Sequence, residues 1–415
     1  MSGLQARLKQ LQAARTGTQA PVDRPGPVVQ GALPARRADG VRDSEPSRSA
    51  PPGWREAAPL VYVRDTEEDI PDLPELRAGD FTSKLLGGPV APGALRFMDT
   101  ETTGLSGGAG TVVFLVGAGV VEGSRLHIRQ VLLGDFPGEP AFLEAALEVL
   151  GSGIWVSYNG KAFDARLLES RCIMNGIRPA SAANLDLLTW TRRLWRTRLC
   201  GCSLGDIEEA VLNRNRADDI PGSEIPDAWF SYLRTDQPAT LEKVFEHHRL
   251  DVVSLVHLFV TIERILGTPG RYAEAGEPQV DRFQLGRWLL GSDEAVAIRL
   301  LEAELYGGPQ ADRAALLLSR LYRRRGQASE AMRTLNAAGT GSPAVAVEMA
   351  KIYEHDVRDP AAALAVVERC LLRAGEPGAV RDELLHRRAR LVRKALRSGG
   401  TSVRSARRQA PDRRR

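Results

Sequence analysis

Two acidic residues one position apart, Asp99 and Glu101, follow the apolar run Gly93-Ala94-Leu95-Arg96-Phe97-Met98. That run reads as a strand entering a hydrophobic interior, and in a strand residues i and i+2 point the same way. Asp99 and Glu101 therefore converge on one side of its end. Paired carboxylates that lose hydration repel each other, an arrangement that costs free energy unless a cation sits between them. Hard oxygen donors suit magnesium or manganese. Taken alone, the pair is equally readable as solvated charges at a strand end.

Two further stretches bear on that choice. A second apolar strand, Ile154-Trp155-Val156, leads through Ser157-Tyr158-Asn159-Gly160-Lys161 into a helix with Asp164 in its first turn. Downstream, Leu241 to Leu266 shows helical spacing of Val244, Leu250, Val253, Leu255 and Leu258. Within it one turn separates His247 from Asp251, so both face the same way. The chain order is acid-x-acid, then Asp, then His with Asp.

This series resembles the DEDD, or DnaQ-like, exonuclease superfamily within the ribonuclease H-like fold. Asp99 to Leu105 is similar to its first motif, Asn159 to Asp164 to its second and His247 to Asp251 to its third. Further segments, among them Asp186-Leu187-Leu188, Cys202-Ser203-Leu204, Asp219-Ile220-Pro221-Gly222 and Tyr232-Leu233-Arg234-Thr235, resemble the bacterial YprB-type branch, whose members are mostly predicted nucleases. The likeness spans roughly residues 80 to 266. It implies an α/β fold, a mixed sheet flanked by helices, and metal-dependent exonuclease activity on DNA or RNA in the 3′-5′ direction. It also implies two Mg2+ or Mn2+ ions held by Asp99, Glu101, Asp164 and Asp251, with Asp99 bridging, Glu101 and Asp251 completing the first site, and Asp164 helping to fix the second. Such a pair can neutralise the phosphate, activate water and stabilise the departing oxygen.

The proton acceptor departs from the family pattern. The histidine subgroup places its base five residues before the last aspartate, a position held here by Glu246. His247 stands four before, where the other subgroup has tyrosine, and is the expected general base. His248 is turned about 100° around the helix, which makes it a surface or packing residue. Thr102, Thr103 and Leu105 are expected to meet the terminal nucleotide, or else to build a turn around Gly104. Asn159 and Lys161 are expected at a backbone phosphate, although Asn-Gly is also a turn signal. Asp186 is open to two readings, auxiliary acid or helix cap. Trp190 to Arg198 mixes tryptophan with arginine, the composition of a single-strand platform or of an amphipathic helix with buried indoles.

A chain of 415 residues exceeds one ordinary domain. Four parts are expected: a Pro/Ala/Arg-rich disordered arm at 1–60, the nuclease domain at 61–275, a tetratricopeptide-like helical domain at 280–397 and a basic disordered tail at 398–415. Ala- and Leu-rich helices are expected at Ala295 to Tyr306, Arg313 to Arg325, Ala328 to Ala338, Ala344 to Glu354 and Pro360 to Ala374; such pairs present a groove to a protein partner or buttress their neighbour. The net charge of +4 conceals +11 from His386 onward and +4 in residues 1–60, which leaves −11 between. Nonspecific attraction to nucleic acid is therefore expected from the tail rather than the body. The longest apolar run, Thr111 to Val121, reads as a strand and is too short to span a bilayer. No apolar core suggests a signal peptide, and Cys172, Cys200, Cys202 and Cys370 form no disulfide framework, which suits a cytoplasmic protein without membrane partners. The competing expectations are a catalytically silent nucleic-acid-binding or scaffold protein of the same fold, and an endonuclease.

Overall fold

The computed structural model describes residues 48–70, 82–83, 88–90, 93–104, 110–274, 280–339, 342–373 and 381–394. All lie in one compact unit, Pro46–Arg415. Its centre is a seven-stranded mixed sheet of order β1-β2-β5-β4-β3-β6-β7. The strands are β1 (Arg55–Ala58), β2 (Val61–Asp69), β3 (Leu95–Thr102), β4 (Val113–Glu122), β5 (Arg125–Leu133), β6 (Ile154–Ser157) and β7 (Asn184–Asp186). From β1 to β3 in that order neighbours run antiparallel, whereas β3, β6 and β7 are parallel. The expected strand at 93–98 extends through both acids, because β4 supplies ladder partners: Asp99 faces Gly117 and Glu101 faces Leu115. A register shift follows between Glu101 and Thr102. A bulge there re-aims the side chains at the strand end.

Alternation along β3 sorts its side chains between two cores. Phe97 clusters with Val252, Val253 and Phe259 of the long helix α6 (Glu242–Gly267), its ring 5.6 Å from that of Phe259. Met98 clusters instead with Phe142 and Leu143 of α1 (Glu139–Leu150) and Leu167 and Leu168 of α2 (Asp164–Met174). By the period of two, Asp99 and Glu101 share the side of Phe97 and look toward α6, while Thr100 shares the side of Met98.

The approach of α6 explains two glycines inside β4. A Cβ at Gly117 would lie 2.2 Å from His248 Cε1, and one at Gly119 would lie 2.7 Å from Val252 Cγ1. Glycine in a strand interior commonly marks such a close approach. The run 111–121 is thus a central strand with helix pressed on it.

Between the sheet and its C-terminal neighbours come α3 (Leu187–Trp195), α4 (Leu204–Ala210) and α5 (Ile225–Thr235). Trp190 and Trp195 are buried in the core with α6, so α3 is the amphipathic helix and not an exposed stacking platform. Beyond lie α7 (Arg282–Leu289), α8 (Glu294–Gly307), α9 (Ala311–Arg324), α10 (Ala328–Ala338), α11 (Pro343–Lys351), α12 (Pro360–Arg373) and α13 (381–394). Of these, α8 to α12 match the five helices expected from the apolar periodicity within a few residues, because Gly, Pro and Asp punctuate the chain between them, whereas α7 and α13 were not among those expected. Asp293, for example, caps α8 by accepting from the Val296 amide. No described helix is long and apolar enough to cross a membrane.

The expected disordered arm at 1–60 ends too late. Residues 48–60 are built into the fold: Arg48 donates to Asp135, Ser49 to Asp236, Trp54 is buried and β1 pairs with β2. Their apolar and pairing groups were masked in the sequence by surrounding proline and alanine. Residues 1–47 and the expected tail at 398–415 lie outside the described residues.

Candidate active site

Three parts of the chain converge at the C-terminal end of β3: the strand itself, the helix α6 and the segment between α4 and α5. Glu101 comes from the strand, His247 and Asp251 from successive turns of α6, and ligand-type atoms of these three lie within 4.8 Å of one another. His247 presents Nε2 to Asp251 Oδ2 at 3.6 Å, as expected for residues four apart on a helix. Its Nδ1 is 2.9 Å from both oxygens of Asp219, which lies in the segment between α4 and α5. An Nδ1 proton shared with Asp219 fixes the ring and leaves Nε2 as the acceptor facing the acids.

Asp99 lies beside this trio, and His248 explains how it is placed. His248 is fully buried; Nε2 is 3.1 Å from the Asp99 carbonyl oxygen, and Nδ1 is 2.8 Å from Gln130 Nε2. The amide of Gln130 donates, so the imidazole accepts at Nδ1 and donates at Nε2 to the backbone of β3. Burial pushes the imidazole down to about 4, which keeps it neutral in that role. His248 is the packing residue of the pair, and it pins the strand that carries Asp99.

Asp164 stands apart from the trio. It opens α2, and its Oδ1 accepts the hydroxyl of Thr100, whose side chain leaves β3 on the face opposite Glu101. Asp186 caps α3, accepting from Leu188 N at 3.0 Å, and also accepts from Asn159 N at 2.9 Å. It is thus the helix cap, and it ties down Asn159, which sits at φ 64° in the turn before α2. Thr102 donates to Gly104 O at 2.9 Å, and Thr103 Oγ1 accepts from Val112 N at 2.9 Å, so both hydroxyls build the turn around Gly104. Lys161 is exposed. Leu105 lies outside the described residues.

One cation in the cluster had no sequence signal. Arg216 bonds Asp251 Oδ1 and Glu208 Oε1, lies 3.3 Å from Asp219 Oδ2, and donates to the His247 carbonyl at 3.4 Å. Burial disfavours its charge, but Asp251 and Glu208 more than restore it, so Arg216 stays protonated. It occurs in a loop without periodicity, which is why pattern alone did not reveal it. Asp219 did fall in a segment shared with the YprB-type branch, but without a role.

The acids are electrostatically strained. Burial first, then the charges of Asp251, Glu101 and Asp164, hold the Asp99 carboxyl well above the usual range. Burial and Asp251 do the same to Glu101. Asp251 is also raised by burial, with His247 and Arg216 pulling the other way. Asp164 is pushed up to about 6 by burial, against its bond from Thr100. Donors of this kind, oxygen-rich with one imidazole and more negative charge than Arg216 neutralises, fit a divalent cation.

A pH dependence follows. A carboxyl raised on folding binds protons more tightly in the native state, so its contribution favours the fold at low pH and is lost as pH rises from the ordinary value to the raised one. For Asp164 that window runs from 3.8 to about 6, and the raised carboxyls of Asp99, Glu101 and Asp251 contribute in the same direction. In chelator the melting temperature is expected to fall across this window, and manganese should restore it most at the alkaline end. A chelator melting curve that instead climbs steadily to pH 8, with no manganese effect there, contradicts the assignment.

Residues 96–263, which contain all four acids and both histidines, match the RNase H superfamily. That is the class of domain the sheet and its acidic edge define. Over 311 residues the chain is 32% identical to the uncharacterized protein YprB of Bacillus subtilis (strain 168), covering 72% of this chain and 75% of YprB. The chain belongs to the family of YprB and carries an RNase H superfamily domain. A solved family B DNA polymerase from the hyperthermophilic archaeon Pyrobaculum calidifontis aligns with a TM-score of 0.33 and 15% identity, over 60% of this chain and 33% of the polymerase. The chain thus spans about a third of that polymerase.

Proposed function

We propose that the protein is a metal-dependent exonuclease of the DEDD type, hydrolysing phosphodiester bonds of DNA or RNA from the 3′ end. The observation that carries this is the convergence of Glu101, Asp251 and His247 within 4.8 Å, with the raised carboxyl of Asp99 beside them. Asp99, Glu101, Asp164 and Asp251 are the residues assigned to hold Mg2+ or Mn2+. Two such ions, when bound, supply charge neutralisation at the phosphate and an activated water.

The remaining work falls to the chain itself. Asp219 orients His247 through Nδ1, so Nε2 is free to take the proton of the attacking water. His248 holds the Asp99 backbone against α6 and takes no proton. Asn159, held by Asp186, and the exposed Lys161 are placed in the turn before Asp164 to meet a backbone phosphate. Thr102 and Thr103, whose hydroxyls are committed to the turn, offer that turn as the support for a terminal nucleotide, with Leu105 next in the chain. The helices from α8 to α12 belong in this reading to a tetratricopeptide-like region that receives a protein partner.

Arg216 favours a second reading, a catalytically silent nucleic-acid-binding or scaffold protein, because a guanidinium on Asp251 neutralises one of the assigned ligands without a metal. The two readings separate on end-labelled single-stranded DNA and RNA incubated with magnesium or manganese. The exonuclease reading expects a ladder from one end that vanishes with chelator and with Asp99→Ala. Equal products from parent and Asp99→Ala, or none from either, favour the silent protein.

A further inference from the structure

A cavity of about 480 Å³ opens beside α3, lined by Arg192, Arg196, Leu199, Cys200, Gly201 and Cys202. Its size is that of an ordinary ligand pocket. Arg192 and Arg196 are exposed and stand four apart, so their side chains project from the same helical face. Several other arginines of the acidic body are paired with carboxylates, as in Arg171 with Glu139, Arg198 with Glu304 and Arg216 with Asp251. Arg192 and Arg196 form no ion pair among the described residues. Two unpaired guanidiniums lining one concavity, in a body of charge −11, make a local anion site.

The cavity is tied to the catalytic edge. Tyr158 donates its hydroxyl to Cys202 O at 2.7 Å, and Tyr158 is the residue between β6 and Asn159. Since β6 lies parallel to β3, the cavity flanks the same C-terminal edge of the sheet that presents Asp99 and Glu101. Ligands of open α/β sheets collect outside the carboxyl ends of such strands.

The wall of the cavity is also braced from behind. Thr197 donates to the fully buried Asp281, and Gln310 Nε2 donates to Thr197 Oγ1 at 3.1 Å and to Asp281 Oδ1 at 2.8 Å. Arg198 reaches the buried Glu304 at 3.4 Å. These bonds join the segment after α3 to the C-terminal helices, whose nearest members, α7 and α8, share the core of Trp190, Leu194 and Trp195. A wall held in place before binding loses little entropy when a ligand arrives.

We infer that this cavity is a backbone subsite for a single nucleic-acid strand, in which Arg192 and Arg196 hold a phosphodiester other than the one being cut. The C-terminal helices act there as a buttress that keeps the arginines in place. Guanidinium matches phosphate geometry bidentately and reads no base, so the subsite is indifferent to sequence. This inference rests on the exonuclease reading for the bond that is cut, but the subsite itself is testable without cleavage.

Two measurements on Arg192→Ala/Arg196→Ala test it, with Arg192→Lys/Arg196→Lys as a charge-retaining control. In chelator, anisotropy of a fluorescein-labelled 12-mer of thymidylate reports binding alone. The alanine variant is expected to bind roughly tenfold or more weakly. Its plot of log affinity against log salt should flatten by about 0.7, the value for one phosphate contact on a single strand. The lysine variant should keep the slope. With manganese, the p-nitrophenyl ester of thymidine 5′-monophosphate, which offers only the bond to be cut, should be hydrolysed equally by parent and alanine variant. Unchanged binding and slope in the alanine variant overturn the subsite, as does an equal loss on the small ester. A parent that binds the 12-mer with the expected slope yet cleaves neither substrate sinks the exonuclease reading and leaves the subsite standing.

Discussion

Glu101→Gln should abolish hydrolysis and at the same time make the metal-free protein melt higher. The glutamine keeps the shape of the side chain and removes its charge. Burial, with the charges of Asp251 and Asp164, already drives the Glu101 carboxyl upward, so the substitution relieves a repulsion the parent carries at neutral pH. Each 1 kcal/mol of relief raises the midpoint by roughly 2–4 °C in a large domain. The same substitution removes one of the assigned cation ligands. A loss of about 4 kcal/mol of transition-state stabilisation corresponds to roughly a thousandfold in rate. The manganese-induced rise in melting temperature should shrink in parallel. A variant that is inactive but also less stable in chelator would show that Glu101 is held by favourable contacts, and the cation-site assignment would fail.

Arg216→Ala carries the second large effect, and its sign is opposite. The guanidinium is the cation placed between Asp251, Glu208 and Asp219, and Glu208 is almost fully buried. Removing one partner of a buried ionic cluster leaves uncompensated charge, which costs about 3–5 kcal/mol. The midpoint in chelator should drop accordingly, and Arg216→Lys should recover part of it as a single ammonium without the fork. Manganese then distinguishes the readings of function. If Arg216 and a divalent cation share the cluster, manganese stabilises the parent as well as Arg216→Ala. Stabilisation of the alanine variant alone would mean the arginine has taken the cation's place, and the silent protein would be the better description. A midpoint for Arg216→Ala within about 1 kcal/mol of the parent would refute the clamp itself.

What was legible in the sequence follows from how local each signal is. The strands β3, β4 and β6 and the helices α2 and α6 were readable because long apolar runs or a period of 3.6 override weak propensities. The strands β1, β2 and β5 were not. The second half of β2 is Arg64-Asp65-Thr66-Glu67-Glu68-Asp69, whose Asp65, Glu67 and Asp69 pair across to Arg129 and Arg125 and whose Glu68 pairs with Arg249, so its strand character comes from ladder partners rather than from apolar pattern. The tryptophans of α3 could not be assigned to solvent or core from composition; the core of α6 and α7 took them.

The histidines show the same division at the scale of one helical turn. Spacing alone put His247 on the face of Asp251 and turned His248 about 100° away. It could not show that the second face would meet a glycine of β4 and the carbonyl of Asp99, because Gly117 and His248 are far apart in sequence and meet only through sheet and helix packing.

The sequence by itself determined that Asp99 and Glu101 share one face of a strand and that His247 and Asp251 share one face of a helix; that the two pairs meet was implied only by the family resemblance. The tertiary structure decided which of them meet and what opposes their charge. Glu101, His247 and Asp251 close on one another while Asp164 turns to Thr100 across the strand. Arg216 and Asp219 enter from a loop to balance and orient them. The physical reason is range: side-chain direction along a strand or helix is a local property, whereas the neutralisation of a buried charge depends on whichever distant residue the fold brings within a few ångströms.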